Sequence, residues 1–78
     1  MGSVETRLRD IWFKVIGVSG TGPDDDFFHC GGHSHLALVL VRALNDEFGL
    51  TFSLIDVYKN HTLRTQAAMV ELALASAI

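Results

Sequence analysis

Residues 27–49 read FFHCGGHSHLALVLVRALNDEFG, and this central segment carries the strongest indication of the fold. After the glycine pair, apolar residues recur at the three- and four-residue spacing of an amphipathic helix. We predict a helix over Ser34–Phe48 that ends at Gly49, because glycine readily adopts the left-handed conformation that closes helices. Leu38 and Val39 fall outside the apolar stripe and should face solvent. The stripe that faces the core consists of Ala37, Leu40, Val41, Leu44 and Phe48.

A first helix and a long loop precede this stretch. The helix is predicted over Ser3–Ile16, with the Ser3 hydroxyl as its cap and Gly17 as its end. The loop over Val18–His33 is rich in glycine and aspartate, which form turns. Its aromatic pair, Phe27 and Phe28, should pin the loop to the core. The apolar stripe of the first helix consists of Val4, Leu8, Ile11, Trp12 and Val15.

Two helices follow the central one. A short helix over Leu54–Lys59 begins with Ser53 and Asp56 at the spacing of a capping box. A last helix starts after Thr62 and runs toward Ala75. The sequence therefore predicts an all-α fold, a small four-helix bundle with a long first loop and a short third helix, in one domain over residues 1–78. The inward residues expected on the last helix are Leu63, Ala67, Val70 and Leu74.

Composition excludes several classes of protein. A 78-residue chain with 49% hydrophobic residues is globular, yet it has little room for a deep active site. The net charge is −3 and the six basic residues are scattered, so no nucleic-acid footprint is formed. The longest apolar run, Leu36–Val41, is too short to span a membrane. A single cysteine cannot form an internal disulfide, and a small domain without disulfides favours a cytoplasmic location. We also expect the protein to be a monomer.

Chemistry-bearing residues concentrate between Phe27 and Leu36, and four interpretations compete. A nucleophilic hydrolase would use Ser34, but the sheet that supports such serines does not fit in this helical chain. A metal site would use the ligand types of His29, Cys30, His33 and His35, but structural zinc sites normally draw ligands from two separated segments, so we expect no metal. A plain helix cap after a glycine turn is the third interpretation.

The fourth interpretation makes Ser34 a modification site. A helix N-terminus offers unpaired N–H groups and a favourable dipole to a phosphodiester. Gly31 and Gly32 carry no side chains, so a modifying enzyme could approach closely. On these residues alone the capped helix start and the modification site remain open.

The motif resembles that of a known family. Asp26-Phe27-Phe28, a two-residue gap and Gly31-Gly32-His33-Ser34 resemble the core motif of peptidyl carrier proteins, the thiolation domains of nonribosomal peptide synthetases. The likeness extends over nearly the whole chain. Further similar segments are Ile11-Trp12, Val15-Ile16-Gly17, Glu47-Phe48-Gly49 and Thr62-Leu63.

The resemblance implies a carrier that catalyses nothing itself. Ser34 would receive 4′-phosphopantetheine from coenzyme A through a phosphopantetheinyl transferase, with Gly32 and His33 beside it. The arm's thiol would hold aminoacyl or peptidyl groups as thioesters for adenylation, condensation, tailoring or thioesterase domains. Exposed residues near the serine would contact these partners, and the residues expected there are His35, Leu38, Val39, Val57 and Tyr58.

Several residues depart from the family pattern. None of them is the serine itself, so they bear on which partners the domain recognises rather than on attachment of the arm. His35 stands where an apolar residue is usual, Cys30 replaces a leucine and should pack as a small hydrophobe, and His61 replaces a proline. The central helix carries Asp46 and Glu47 only at its far end, unlike the acidic helix of fatty-acid carriers, which favours the peptidyl class. An acyl or aryl carrier of a polyketide or hybrid pathway, and an unmodified helical binding module, remain alternatives.

Overall fold

The computed structural model describes residues 3–18 and 20–76, and these residues contain four helices. They are α1 (Ser3–Ile16), α2 (Ser34–Phe48), α3 (Leu54–Lys59) and α4 (Leu63–Ser76). Helix α1 packs against α2 and α4, and α3 packs against α2. Within these described ranges the only β-type pairing is an isolated bridge between Asp26 and Thr62. The predicted all-α bundle, with its long first loop and short third helix, is confirmed.

Helix ends follow the local signals in the sequence. Gly17 adopts a φ of +72° and its amide donates to the Phe13 carbonyl at 2.8 Å, which ends α1. Gly49 ends α2 in the same way, with a φ of 67° and its amide bonded to the Asn45 carbonyl. The capping box of α3 is also present, because the Asp56 carboxylate accepts the Ser53 amide at 2.9 Å. The structure describes the backbone of Ser3 but not its side chain, so the predicted Ser3 cap stays a prediction.

One buried cluster forms the core between the helices and the first loop. At its centre the Trp12 indole N–H donates to Gln66 Oε1 at 2.9 Å, and both side chains are fully buried. The stripes predicted on α1 and α2 face this cluster. The buried apolar side chains are Leu8, Ile11, Trp12, Phe27, Ala37, Leu40, Val41, Leu44, Phe48, Val57, Leu63, Ala67 and Val70.

The prediction for the end of α4 was wrong in one position. Leu63, Ala67 and Val70 are buried as expected, but Leu74 is 36% exposed. The core ends at Val70, and α4 continues for more than a turn beyond it. Helical periodicity continues to the helix end, whereas burial requires a neighbouring element to pack against.

The first loop is fixed to the start of α4 by backbone hydrogen bonds. The Phe27 amide donates to the His61 carbonyl at 2.6 Å, and the Arg64 amide donates to the Pro23 carbonyl at 2.7 Å. Phe27 is fully buried and Phe28 packs against the core, as predicted for the aromatic pair. These contacts fix the position of the loop that leads into α2. Across the described residues no helix is long and apolar enough to cross a membrane.

Candidate functional site

A tight turn before α2 is organised by Asp26. Its Oδ1 accepts the Phe28 amide at 2.8 Å, and its carbonyl accepts the amides of His29 and Cys30 at 3.0 Å each. The Gly32 amide then donates to the Phe27 carbonyl at 3.0 Å, so the chain folds back over Phe27. The turn role expected of the loop aspartates is confirmed at Asp26.

The two glycines of the turn meet different requirements. Gly31 adopts a φ of +110°, which side chains disfavour. Gly32 lies directly against Phe27: a Cβ there would overlap the phenylalanine ring and lie 2.7 Å from the Phe27 carbonyl oxygen. Internal packing thus requires a glycine at position 32. Its expected part in clearing space for an incoming enzyme stays a prediction.

Ser34 is the first residue of α2, and the capping position belongs to His33. His33 has an extended backbone, with φ of −144°, and its side chain makes no capping hydrogen bond. The first-turn amides of a helix have no partner inside the helix, and this turn contains no acidic side chain. The exposed Ser34 therefore stands at the positive end of a helix dipole. The interpretation of Ser34 itself as the cap was wrong.

The Ser34 hydroxyl has a tyrosine partner. Ser34 Oγ lies 3.0 Å from the Tyr58 hydroxyl on α3, and either oxygen can donate. Among the hydrogen bonds of the described residues none joins Ser34 to a histidine, and the rings of His33 and His35 lie 6.4 Å apart. Residues 3–18 and 20–76 also contain no group of three potential metal ligands.

Tyr58 is connected to the core through three other rings. It stacks face to face on Phe28, with centroids 5.2 Å apart and planes 5° from parallel. Phe28 packs edge-on against Phe27, and Phe27 packs edge-on against Trp12. The contact of Tyr58 with Ser34 was missed in the sequence. No local spacing rule relates residues 24 positions apart, so no signal was available.

Most of the apolar residues that were predicted to lie exposed near Ser34 are exposed in the structure. Leu38, Val39 and Tyr58 are exposed by 47%, 38% and 44%, whereas Val57 is fully buried, so its predicted place on the surface was wrong. Residues three apart on a helix share a face, which pairs Tyr58 with the exposed Ile55 and turns Val57 toward the core. This spacing in the sequence could have identified Ile55, which the prediction missed.

The structure also shows the environment of the three residues that depart from the family pattern, Cys30, His35 and His61. Cys30 packs against the core as predicted, and burial, followed by the charges of Asp25 and Asp26, raises the pKa of its thiol. The thiol is therefore protonated and weakly nucleophilic at neutral pH. His61, in place of the usual proline, has Nδ1 3.0 Å from Asp26 Oδ2. His35, like Ser34, is exposed.

Known proteins resemble this chain in sequence and in structure. The chain is 40% identical over 67 residues to HC-toxin synthetase of Cochliobolus carbonum and 37% identical over 68 residues to tyrocidine synthase 2 of Brevibacillus parabrevis. These matches cover 86% and 87% of the chain but 1% and 2% of the relatives.

A solved structure shares the fold. In a complex of the phosphopantetheine transferase Sfp with coenzyme A and a peptidyl carrier protein, the similar chain is 32% identical with a TM-score of 0.87. The match covers 92% of this chain and 94% of that one. The family described as phosphopantetheine attachment site matches residues 6–70. The chain therefore belongs to this family of carrier domains, which bear 4′-phosphopantetheine.

Proposed function

We propose that Ser34 carries the 4′-phosphopantetheine arm and that the domain presents aminoacyl or peptidyl thioesters in nonribosomal peptide or related biosynthesis. The supporting observation is the placement of an exposed serine hydroxyl at the first residue of α2, directly after the fixed glycine turn. No other residue of the motif combines a nucleophilic oxygen, exposure and a helix N-terminus.

Attachment requires one substitution at phosphorus. Ser34 Oγ attacks the coenzyme A phosphorus that bears the pantetheine, and an Oγ–P bond forms. The pyrophosphate P–O bond breaks, adenosine 3′,5′-bisphosphate leaves, and the serine proton passes to a base on the transferase. The product places a negative phosphodiester at the N-terminus of α2, where unpaired amides and the helix dipole stabilise it. The absence of acidic residues from that turn removes the main source of repulsion.

The domain itself supplies no catalytic machinery in this proposal. Carrier domains of this family are generally non-catalytic, and the Ser34 hydroxyl contacts the Tyr58 hydroxyl rather than a histidine base. We propose that residues 1–78 act as a single carrier domain, monomeric and cytoplasmic. The chemistry then resides in the transferase that loads the arm and in the domains that use its thioester.

Partner docking is proposed for the exposed surface around Ser34. Helix α2 contributes Leu38 and Val39, α3 contributes Ile55 and Tyr58, and His35 follows the serine. The acidic residues of α2 lie at its far end, so the side chains that α2 brings to this surface are apolar rather than anionic. Such a surface fits adenylation, condensation, tailoring or thioesterase domains that recognise apolar rather than anionic carriers.

Intact mass spectrometry tests this proposal. The chain is incubated with coenzyme A and a promiscuous phosphopantetheinyl transferase, and a single phosphopantetheine increment is expected. Ser34→Ala should abolish the increment. Ser53→Ala is the matched control, because Ser53 also lies exposed at a helix N-terminus, and this variant should load like the wild type. Loading of Ser34→Ala, or no loading of the folded wild type by two different transferases, would refute the assignment.

A further inference from the structure

The hydrogen bond between Ser34 and Tyr58 joins the attachment site to α3. Its oxygens lie 3.0 Å apart, and the two residues come from different helices. Tyr58 is 44% exposed and Ser34 is exposed, so burial does not force this contact. The contact instead positions a phenol at the atom to which, under the proposed function, the arm is attached.

Attachment of the arm changes which groups can donate. In the free serine either hydroxyl can supply the proton. After esterification the Ser34 oxygen has no proton, and the phenol becomes the only donor of the pair. The phosphate oxygens bonded to Ser34 Oγ carry the negative charge, and hydrogen bonds to ionised acceptors are shorter and stronger than those between neutral groups.

We propose that Tyr58 binds the phosphodiester at the root of the phosphopantetheine arm through its phenol O–H. The inference rests on the proposed function of Ser34 and adds a cofactor-binding residue on α3. The phenol replaces its bond to the serine with a bond to a phosphate oxygen and holds the root of the arm beside α3. It thereby limits the directions in which the arm can leave the domain.

The Tyr58 ring is held in place by its contact with Phe28, which packs against the core. Phe28 stacks against the Tyr58 ring with centroids 5.2 Å apart, and Phe28 is itself partly buried against the core. An aromatic ring held on one face loses little entropy when its hydroxyl binds a ligand, because few torsions remain free. Tyr58→Phe keeps this stacking and removes only the donor, so it separates phosphate binding from packing.

Two spectroscopic readouts test the inference on the loaded protein. Tyr58 is the only tyrosine, so the Raman doublet of the phenol ring, whose intensity ratio reports donor strength, belongs to it alone. We expect the doublet to change toward the strong-donor pattern when the wild type is loaded. The phosphorus NMR resonance of loaded Tyr58→Phe should shift from the wild-type position toward that of the urea-unfolded loaded chain.

Lys59→Gln is the matched control, because Lys59 is the exposed cation next to Tyr58. Circular dichroism checks that the helices of both variants are intact, and the control should leave the doublet and the phosphorus resonance as in the wild type. A loaded wild type with an unchanged doublet would overturn the Tyr58 inference and leave the function of Ser34 intact. A phosphorus shift caused by Lys59→Gln rather than by Tyr58→Phe would assign the phosphate to a cation. Failure of the wild type to load would overturn both.

Discussion

Gly32→Ala is expected to destabilise the domain strongly, although it adds only one methyl group. The added Cβ would overlap the Phe27 ring and lie 2.7 Å from the Phe27 carbonyl oxygen. The ring cannot move freely, because Phe27 is fully buried and packs edge-on against Trp12 at 5.3 Å. Overpacking of a core typically costs about 1–3 kcal/mol, and the backbone obstacle places this variant at about 2–3 kcal/mol. For a domain of this size that loss lowers the melting temperature by roughly 8–24 °C.

Urea unfolding measures this loss. Trp12 is the only tryptophan, so its fluorescence reports the packing around Phe27, and far-ultraviolet circular dichroism reports the helices. Gly22→Ala is the matched control from the same loop, since Gly22 has no positive φ and its added Cβ would meet only Asp25 Oδ2, at 3.8 Å. Its free energy of unfolding should stay within about 0.5 kcal/mol of the wild type or rise slightly, because alanine restricts the unfolded chain.

A second variant identifies the obstacle. In a Phe27→Leu background the smaller side chain leaves room, so Gly32→Ala should cost less than in the wild type, with a coupling of about 1 kcal/mol. Gly32→Ala that unfolds at the same urea concentration as Gly22→Ala would refute the close-packing argument. Equal costs in the two backgrounds would show that the ring is not the obstacle.

Two further predictions concern a buried hydrogen bond and an exposed ion pair. Gln66→Leu should lower the free energy of unfolding by about 1–3 kcal/mol, because it leaves the buried Trp12 N–H without its acceptor. Urea unfolding checks this, and a comparable loss in a Trp12→Phe background would contradict it. Arg64 holds the pKa of the Asp24 carboxyl below its ordinary value, through a hydrogen bond and then through its charge. Stabilisation from a lowered carboxyl pKa is present above about pH 4 and disappears as the pH falls through the lower folded-state value. Wild type should therefore be slightly more stable than Asp24→Asn at neutral pH and low salt, and the two should converge in acid; a gap in unfolding midpoint that widens on acidification would argue against the ion pair.

Local features of the sequence were sufficient to predict the helices and to select an attachment candidate. Gly17 and Gly49 end α1 and α2. Their positions were predictable because closing a helix in this way needs only one residue with a positive φ, which glycine adopts readily. The stripes of α1 and α2 were predicted correctly because helical periodicity relates residues three and four apart. Ser34 was selected as the candidate from the residues next to it in the chain. Each of these inferences depends on interactions within a few residues.

The surroundings of these elements depend on how the chain packs in three dimensions. Leu74 was misplaced because burial on α4 depends on where the core ends, and the core ends at Val70. The pairing of Tyr58 with Ser34 and the fit of Gly32 against Phe27 arise when the first loop docks on the start of α4 and α3 packs on α2. Such contacts are fixed by the three-dimensional path of the chain, which local periodicity and turn chemistry do not specify.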